Sequence, residues 1–176
     1  MARLTERVPL FKSRSLKTEH DPWVMHLVNT YGDMLFDLCQ SMLWSASSAP
    51  WAFRTLLKRL TQAPHDARFQ EFERAWVLSE SSLFLLDLVK KQGRRLSSSE
   101  QMMLDSTPLP QTRLKHFESY FHRLAADDQI LLLYKDKYGI PYHEISSALS
   151  KPELSLKVQR QHALQALEEW IWGVSQ

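Results

Sequence analysis

The sequence predicts an all-α protein, and three features carry that expectation. Leucine occurs 28 times against eleven for valine and isoleucine together, a balance that favours helices, where unbranched side chains lose little rotamer freedom. Only four glycines occur, Gly32, Gly93, Gly139 and Gly173, too few for glycine-rich phosphate loops, a dinucleotide fold or a turn-dense sandwich. Apolar residues recur at three- and four-residue steps along much of the chain, the spacing of one helix face. With 176 residues, 44% apolar and 24% charged, the chain has enough apolar surface for one medium core or two small ones, and wholesale disorder is not expected.

In order along the chain, residues 1–20 carry Arg3, Arg7, Lys12, Arg14 and Lys17 without a long apolar stretch, which reads as a basic, flexible tail and not a secretory signal. Asp21-Pro22 opens the first helix, with aspartate as N-cap and proline at the first helical position. Its stripe is Val24, Leu27, Val28, Tyr31, Leu35, Leu38 and Met42. After a break at 45–50, a second helix turns Phe53, Leu56, Leu57 and Leu60 inward and Arg54, Lys58 and Arg59 outward. Ala63-Pro64-His65-Asp66 breaks the chain again. Phe69, Phe72, Trp76, Leu83, Leu86 and Leu88 then form one long helix or two shorter ones, stopping at Gly93.

Residues 94–110 combine Ser97-Ser98-Ser99 with Ser106-Thr107-Pro108-Leu109-Pro110 and read as a linker with a short helical turn at 100–104. The boundaries are therefore a helical domain at 21–93, a linker at 94–110 and a second helical domain at 111–176. In the latter, Leu114, Phe117, Phe121 and Leu124 mark a lead-in helix. Asp127 or Asp128 caps the next, which carries Ile130, Leu131 and Tyr134 and ends near Tyr138-Gly139. Pro141 starts a short helix with Ile145, Ala148 and Leu149. Ser150-Lys151-Pro152-Glu153 matches a capping box, serine as N-cap and glutamate three residues on, and opens a longer helix with Leu156, Ala163, Leu164 and Leu167. A short helix, a tight turn and a longer helix follow the helix-turn-helix plan.

Two stretches then carry a likeness. One is Phe72, then Trp76-Val77-Leu78, then Asp87-Leu88-Val89-Lys90-Lys91. The other is Tyr138-Gly139-Ile140-Pro141-Tyr142-His143-Glu144-Ile145, followed by Leu149 and, eight residues later, Lys157. Over roughly residues 21–170 the chain resembles bacterial RNA polymerase sigma factors of the extracytoplasmic-function group. That resemblance implies a region-2-like bundle and a region-4-like helix-turn-helix, joined by the linker. It implies core RNA polymerase and promoter DNA as partners, with an anti-sigma protein as a further one. The first domain would bind polymerase and open the minus-ten element, and the second would read the minus-thirty-five element. No cofactor is implied. The chain also departs from the family pattern. Residues 47–54 carry no acid, and Arg54 stands where a glutamate is common. Leu83 replaces a promoter-reading asparagine, Gln159 an arginine, and Arg160 an apolar residue. Ser150 and Leu154 replace glycines of the turn.

The candidate DNA-binding residues are thus Lys90, Lys91, Arg94 and Arg95, a cationic cluster suited to phosphates, and Ser155, Lys157, Gln159, Arg160 and Gln161 on the last helix. Their polar side chains, with His162, suit base edges and phosphates. The plainer readings are a cationic helix end that complements the helix dipole and a solvated face. Trp51, Arg54 and Lys58 are the candidate polymerase contacts, since aromatics are enriched at interfaces. Trp76 reads as core by its phase with Phe69 and Phe72, with base stacking as the alternative.

The formal charge of +2 does not by itself imply nucleic-acid binding, and residues 124–176 carry five cations and seven acids, which opposes it. Cys39, the single cysteine, excludes an intrachain disulfide and points to a reducing, cytoplasmic setting. No apolar run approaches the length of a membrane span. Neither metal-ligand spacing nor a nucleophile with a positioned base is legible, so an enzyme is not expected. Two other readings compete: a sigma-like interaction protein without ordinary promoter reading, and a helix-turn-helix regulator with a helical sensor domain.

Overall fold

The computed structural model describes residues 22–43, 48–62, 70–92, 98–106 and 116–173. All regular structure among them is helical, as expected. The basic tail at 1–20 and the cap residue Asp21 lie outside the described residues, as do Phe69, Leu114 and the break at 63–66.

Pro22 is the first residue of α1 (Pro22–Met42), where its missing N–H leaves no helical bond unmade. Leu27, Leu35, Leu38, Cys39 and Met42 are its buried face; of the expected stripe, Tyr31 is half-buried and Val28 is exposed. Helix α2 (Ser48–Leu60) packs on α1 through Ala49, Ala52, Leu56 and Leu60. Phe53 is half-buried and meets Phe36 edge-on at 5.5 Å. Arg54, Lys58 and Arg59 point outward as expected.

Helix α3 runs unbroken from Gln70 to Gln92, and its buried face differs from the expected one. Val77, Leu78, Ser81, Ser82, Phe84, Leu85 and Leu88 are buried, while Phe72 and Leu83 are 60% and 56% exposed. The cause is that α3 is packed by helices from both parts of the chain, and two serines occupy the middle of its buried face. Each serine is satisfied locally, Ser81 Oγ bonding the Val77 carbonyl at 2.5 Å and Ser82 Oγ the Leu78 carbonyl at 2.7 Å. Burial of these hydroxyls therefore costs little. Of the expected linker, residues 98–106 form α4 (Ser98–Ser106), and its other residues lie outside the described ones.

Helix α5 (Phe117–Phe121) precedes α6 (Ala126–Leu132), which continues as one π-helical turn, Leu133–Lys137. Neither Asp127 nor Asp128 caps α6. Ala125 holds that position, and both aspartates lie in the first turn, where their charge favours the helix dipole. The helix ends at Tyr138 as expected. Gly139 follows at φ +63°, with open space where a Cβ would stand, so the backbone alone calls for glycine. The Ile140 N–H then donates back to the Tyr134 carbonyl at 2.9 Å.

Pro141 precedes α7 (Tyr142–Leu149), which buries Ile145 and Ala148. The expected capping box does not form. Ser150 ends α7 in the left-handed conformation, φ +53° and ψ +41°, and α8 (Glu153–Trp172) starts after Pro152 with no side-chain cap. An N-cap needs extended backbone, and Ser150 is committed to the turn instead. Helix α8 buries Leu156, Ala163, Leu167 and Ile171.

One hydrophobic cluster joins these elements across the 94–110 stretch. It includes Leu35, Leu38, Leu56, Leu78 and Leu85 from the first part, and Tyr120, Ile130, Leu131, Tyr134 and Ile145 from the second. Each fully buried leucine contributes about 1.5–3 kcal/mol. Helix α3 packs on α6 and α7, and α1 on α6. No helix among the described residues is long and apolar enough to cross a membrane.

Candidate functional site

Helices α7 and α8 are joined by three residues, 150–152, with Ser150 supplying the reversal. At about 100° per residue, the side of α8 opposite the buried Leu156, Ala163 and Leu167 presents Leu154, Val158, Gln161 and Gln165. Leu154 is 74% exposed and Val158 46%, so this outward ridge is uncharged and partly apolar. Apolar groups of this kind suit thymine methyls in a major groove.

The expected single polar face of α8 is divided by that ridge. Ser155, Gln159 and His162 border a groove of about 680 Å³ that also includes Arg123, Asp128 and Trp170. Lys157, Arg160 and Gln161 border a second, of about 830 Å³, with Tyr142, Glu168 and Trp172. The reason is angular: 155 and 159 are one turn apart on one flank, and 157, 160 and 161 lie on the other.

Two of these side chains are engaged within the molecule. Gln159 Nε2 donates to Asp128 Oδ1 at 2.7 Å, and Lys151 Nζ donates to both Asp127 (2.5 Å) and Gln159 Oε1 (3.3 Å). Arg160 Nε faces both carboxylate oxygens of Asp136 at 2.9 and 3.1 Å, and its Nη2 donates to Oδ1 as well. The hydrogen bond that Arg160 donates to Asp136 leads in holding its guanidinium above the ordinary pKa. A guanidinium held by a carboxylate fork offers less to a phosphate until the pair parts. Lys157 is exposed, with its ammonium 5.4 Å from the Tyr142 ring centre; Lys135 stands 4.8 Å from the same ring. Sequence reasoning missed the roles of Asp128, in α6, and Asp136, in the π-helical turn that continues it. Only the acidic balance of residues 124–176 hinted at them.

In the first part of the chain, Lys90 and Lys91 are both exposed at the end of α3. Lys91 pairs with Asp87 at 2.7 Å, and both side chains are more than half exposed, so the pair contributes little. Arg94 and Arg95 lie outside the described residues. Trp76 is half-buried and packs against the core, in keeping with its plainer reading. Phe72 and Leu83 share its angular position and face outward.

Trp51, Arg54 and Lys58 are brought together, at three- and four-residue steps on the exposed side of α2, with Trp51 53% exposed. The helix carries no acid. Among the described residues, no group of three or more His, Cys, Asp or Glu side chains is gathered to hold a metal ion. No protein-family model matches the chain, and no curated protein matches it either.

Proposed function

We propose that the chain is an extracytoplasmic-function-type sigma factor, a cytoplasmic protein that binds core RNA polymerase and directs promoter-specific transcription initiation. The observation that carries this reading is the unit of α7, a three-residue turn and α8, whose outward side is free of core packing. A helix so presented has the form that enters a major groove. Lys90 and Lys91, with Arg94 and Arg95 in sequence, are the phosphate-contacting group, and Ser155, Lys157 and Gln161 the exposed part of the reading helix. Core polymerase contacts Trp51, Arg54 and Lys58, with the charge of this face opposite to that usual in the family. Promoter DNA is the second partner, an anti-sigma protein a third, and no cofactor or catalytic step is involved.

One observation favours a second reading, a sigma-like protein that binds polymerase or another regulator without ordinary promoter reading. Gln159 and Arg160 are held by Asp128 and Asp136, so two of five reading positions are engaged before DNA arrives. Capture of purified core polymerase on the immobilised chain tests what both readings share. Trp51→Ala with Arg54→Glu is expected to weaken capture several-fold, and capture unchanged by the pair would remove α2 as the contact face.

A further inference from the structure

We infer that the groove along α8 between Tyr142 and Trp172 binds a nucleoside diphosphate whose base carries an amino group. This goes beyond the sigma-factor reading and does not rest on it. The groove encloses about 830 Å³ and is lined along α8, from Lys157 to Trp172, by residues at three- and four-residue steps, so it follows a single flank of the helix. Its charge is divided, with cations at one end and carboxylates at the other.

The cationic end gathers at Tyr142. The Lys135 and Lys157 ammonium groups stand 4.8 and 5.4 Å from its ring centre. Arg160, held charged chiefly by Asp136, also bonds the Tyr142 phenol. Lys137, Lys151 and Arg160 each meet a carboxylate. Lys135 donates to the Ile140 carbonyl at 3.3 Å, and among the described residues neither it nor Lys157 meets a carboxylate. Like charges gathered around one ring repel, and a two-phosphate group bound there relieves the repulsion.

The other end suits a base. Eight residues along α8 from Arg160, or about 12 Å, Glu168 is exposed and has no partner among the described residues. Glu169 accepts from Gln165 at 3.2 Å, which leaves Glu168 as the open acceptor. Trp172 is 48% exposed and lines the same groove. Side chains of a helix lean toward its N-terminus, which carries the indole over the turn of Glu168. An aromatic face beside a free carboxylate fits a base that stacks on the indole and donates its exocyclic amino group to Glu168. A nucleotide covers this distance from phosphate to base edge. A continuous nucleic-acid strand fits less well, because its charge repeats along its length and meets the two glutamates.

The test titrates the full chain by calorimetry with cytidine diphosphate, uridine diphosphate and pyrophosphate. Uridine differs in presenting a carbonyl to Glu168 where cytidine presents an amino group. Lys157→Glu, Glu168→Ala and Trp172→Ala alter exposed positions, and circular dichroism checks that each keeps its helicity. The inference predicts that cytidine diphosphate binds about tenfold more tightly than uridine diphosphate, the worth of one hydrogen bond to a charged group, and about tenfold or more above pyrophosphate. Lys157→Glu weakens all three ligands, Glu168→Ala removes the preference for cytidine over uridine, and Trp172→Ala brings both nucleotides to the level of pyrophosphate. No binding of cytidine diphosphate overturns the inference. Equal binding of all three ligands also overturns it, making the cluster a general anion site, as does nucleotide binding that none of the variants changes. The measurement uses neither polymerase nor promoter, so its failure leaves the sigma-factor reading in place, and failure of that reading leaves the groove in place.

Discussion

At the scale of single residues, Ser150 shows how one backbone angle decides between two local grammars. Its sequence context predicts an N-cap, yet it adopts φ +53° as the last residue of the preceding helix. A side chain in that conformation meets its own carbonyl, and glycine does not. Ser150→Gly is therefore expected to stabilise the protein by about 0.5–1 kcal/mol, and Ser150→Ala to change it by less than the roughly 1 kcal/mol lost with a capping hydroxyl. Urea midpoints of the two variants check both, and a large loss from alanine would restore the capping role. The buried weak acids make a second prediction. Burial pushes the Cys39 thiol up to about 12. Burial also raises Tyr134, and it raises Tyr31 and Tyr138 with help from the carboxylates of Glu73 and Asp37. In each case the folded state binds its proton more tightly than the unfolded chain, so unfolding is favoured where only the unfolded chain ionises. Stability is full below about pH 9 and falls as pH rises beyond it, through about 10 for the phenols. Urea midpoints level between pH 8 and 11 would contradict this.

At the scale of elements, what was legible in the sequence is what depends on the local backbone. Pro22 and Pro141 marked helix starts and Gly139 a helix end, because each fixes or frees its own dihedral angles. The buried face of α3 was not legible. Ser81 and Ser82 interrupt its apolar period, and the helix packs against partners from two distant parts of the chain. The divided flanks of α8 were legible in angle, but the engagement of Gln159 and Arg160 was not, since Asp128 and Asp136 lie 31 and 24 residues away. Those pairs make a prediction for α8 as an element. Asp136→Asn releases Arg160, and in salt titrations of holoenzyme on a promoter fragment the slope is expected to steepen by about 0.9. Lys157→Ala is expected to flatten it by about one unit at most, and removal of Lys90, Lys91, Arg94 and Arg95 together by about 3.6. A slope unmoved by Asp136→Asn would mean that Arg160 does not approach phosphate even when freed.

At the scale of the whole molecule, the proposed function uses two surfaces: α2 with the end of α3, and α8 behind its turn. Both are exposed in the same structure, and each fits a step of the proposed function. The central claim is promoter-directed initiation, and the most direct measurement is run-off transcription with purified core RNA polymerase, the full chain and a library of promoter fragments. The account predicts transcripts that require the chain, start at defined positions and come from a subset of fragments sharing upstream sequence. Core polymerase that binds the chain yet initiates no more selectively than core alone would contradict it, and would leave the sigma-like interaction protein as the reading that stands.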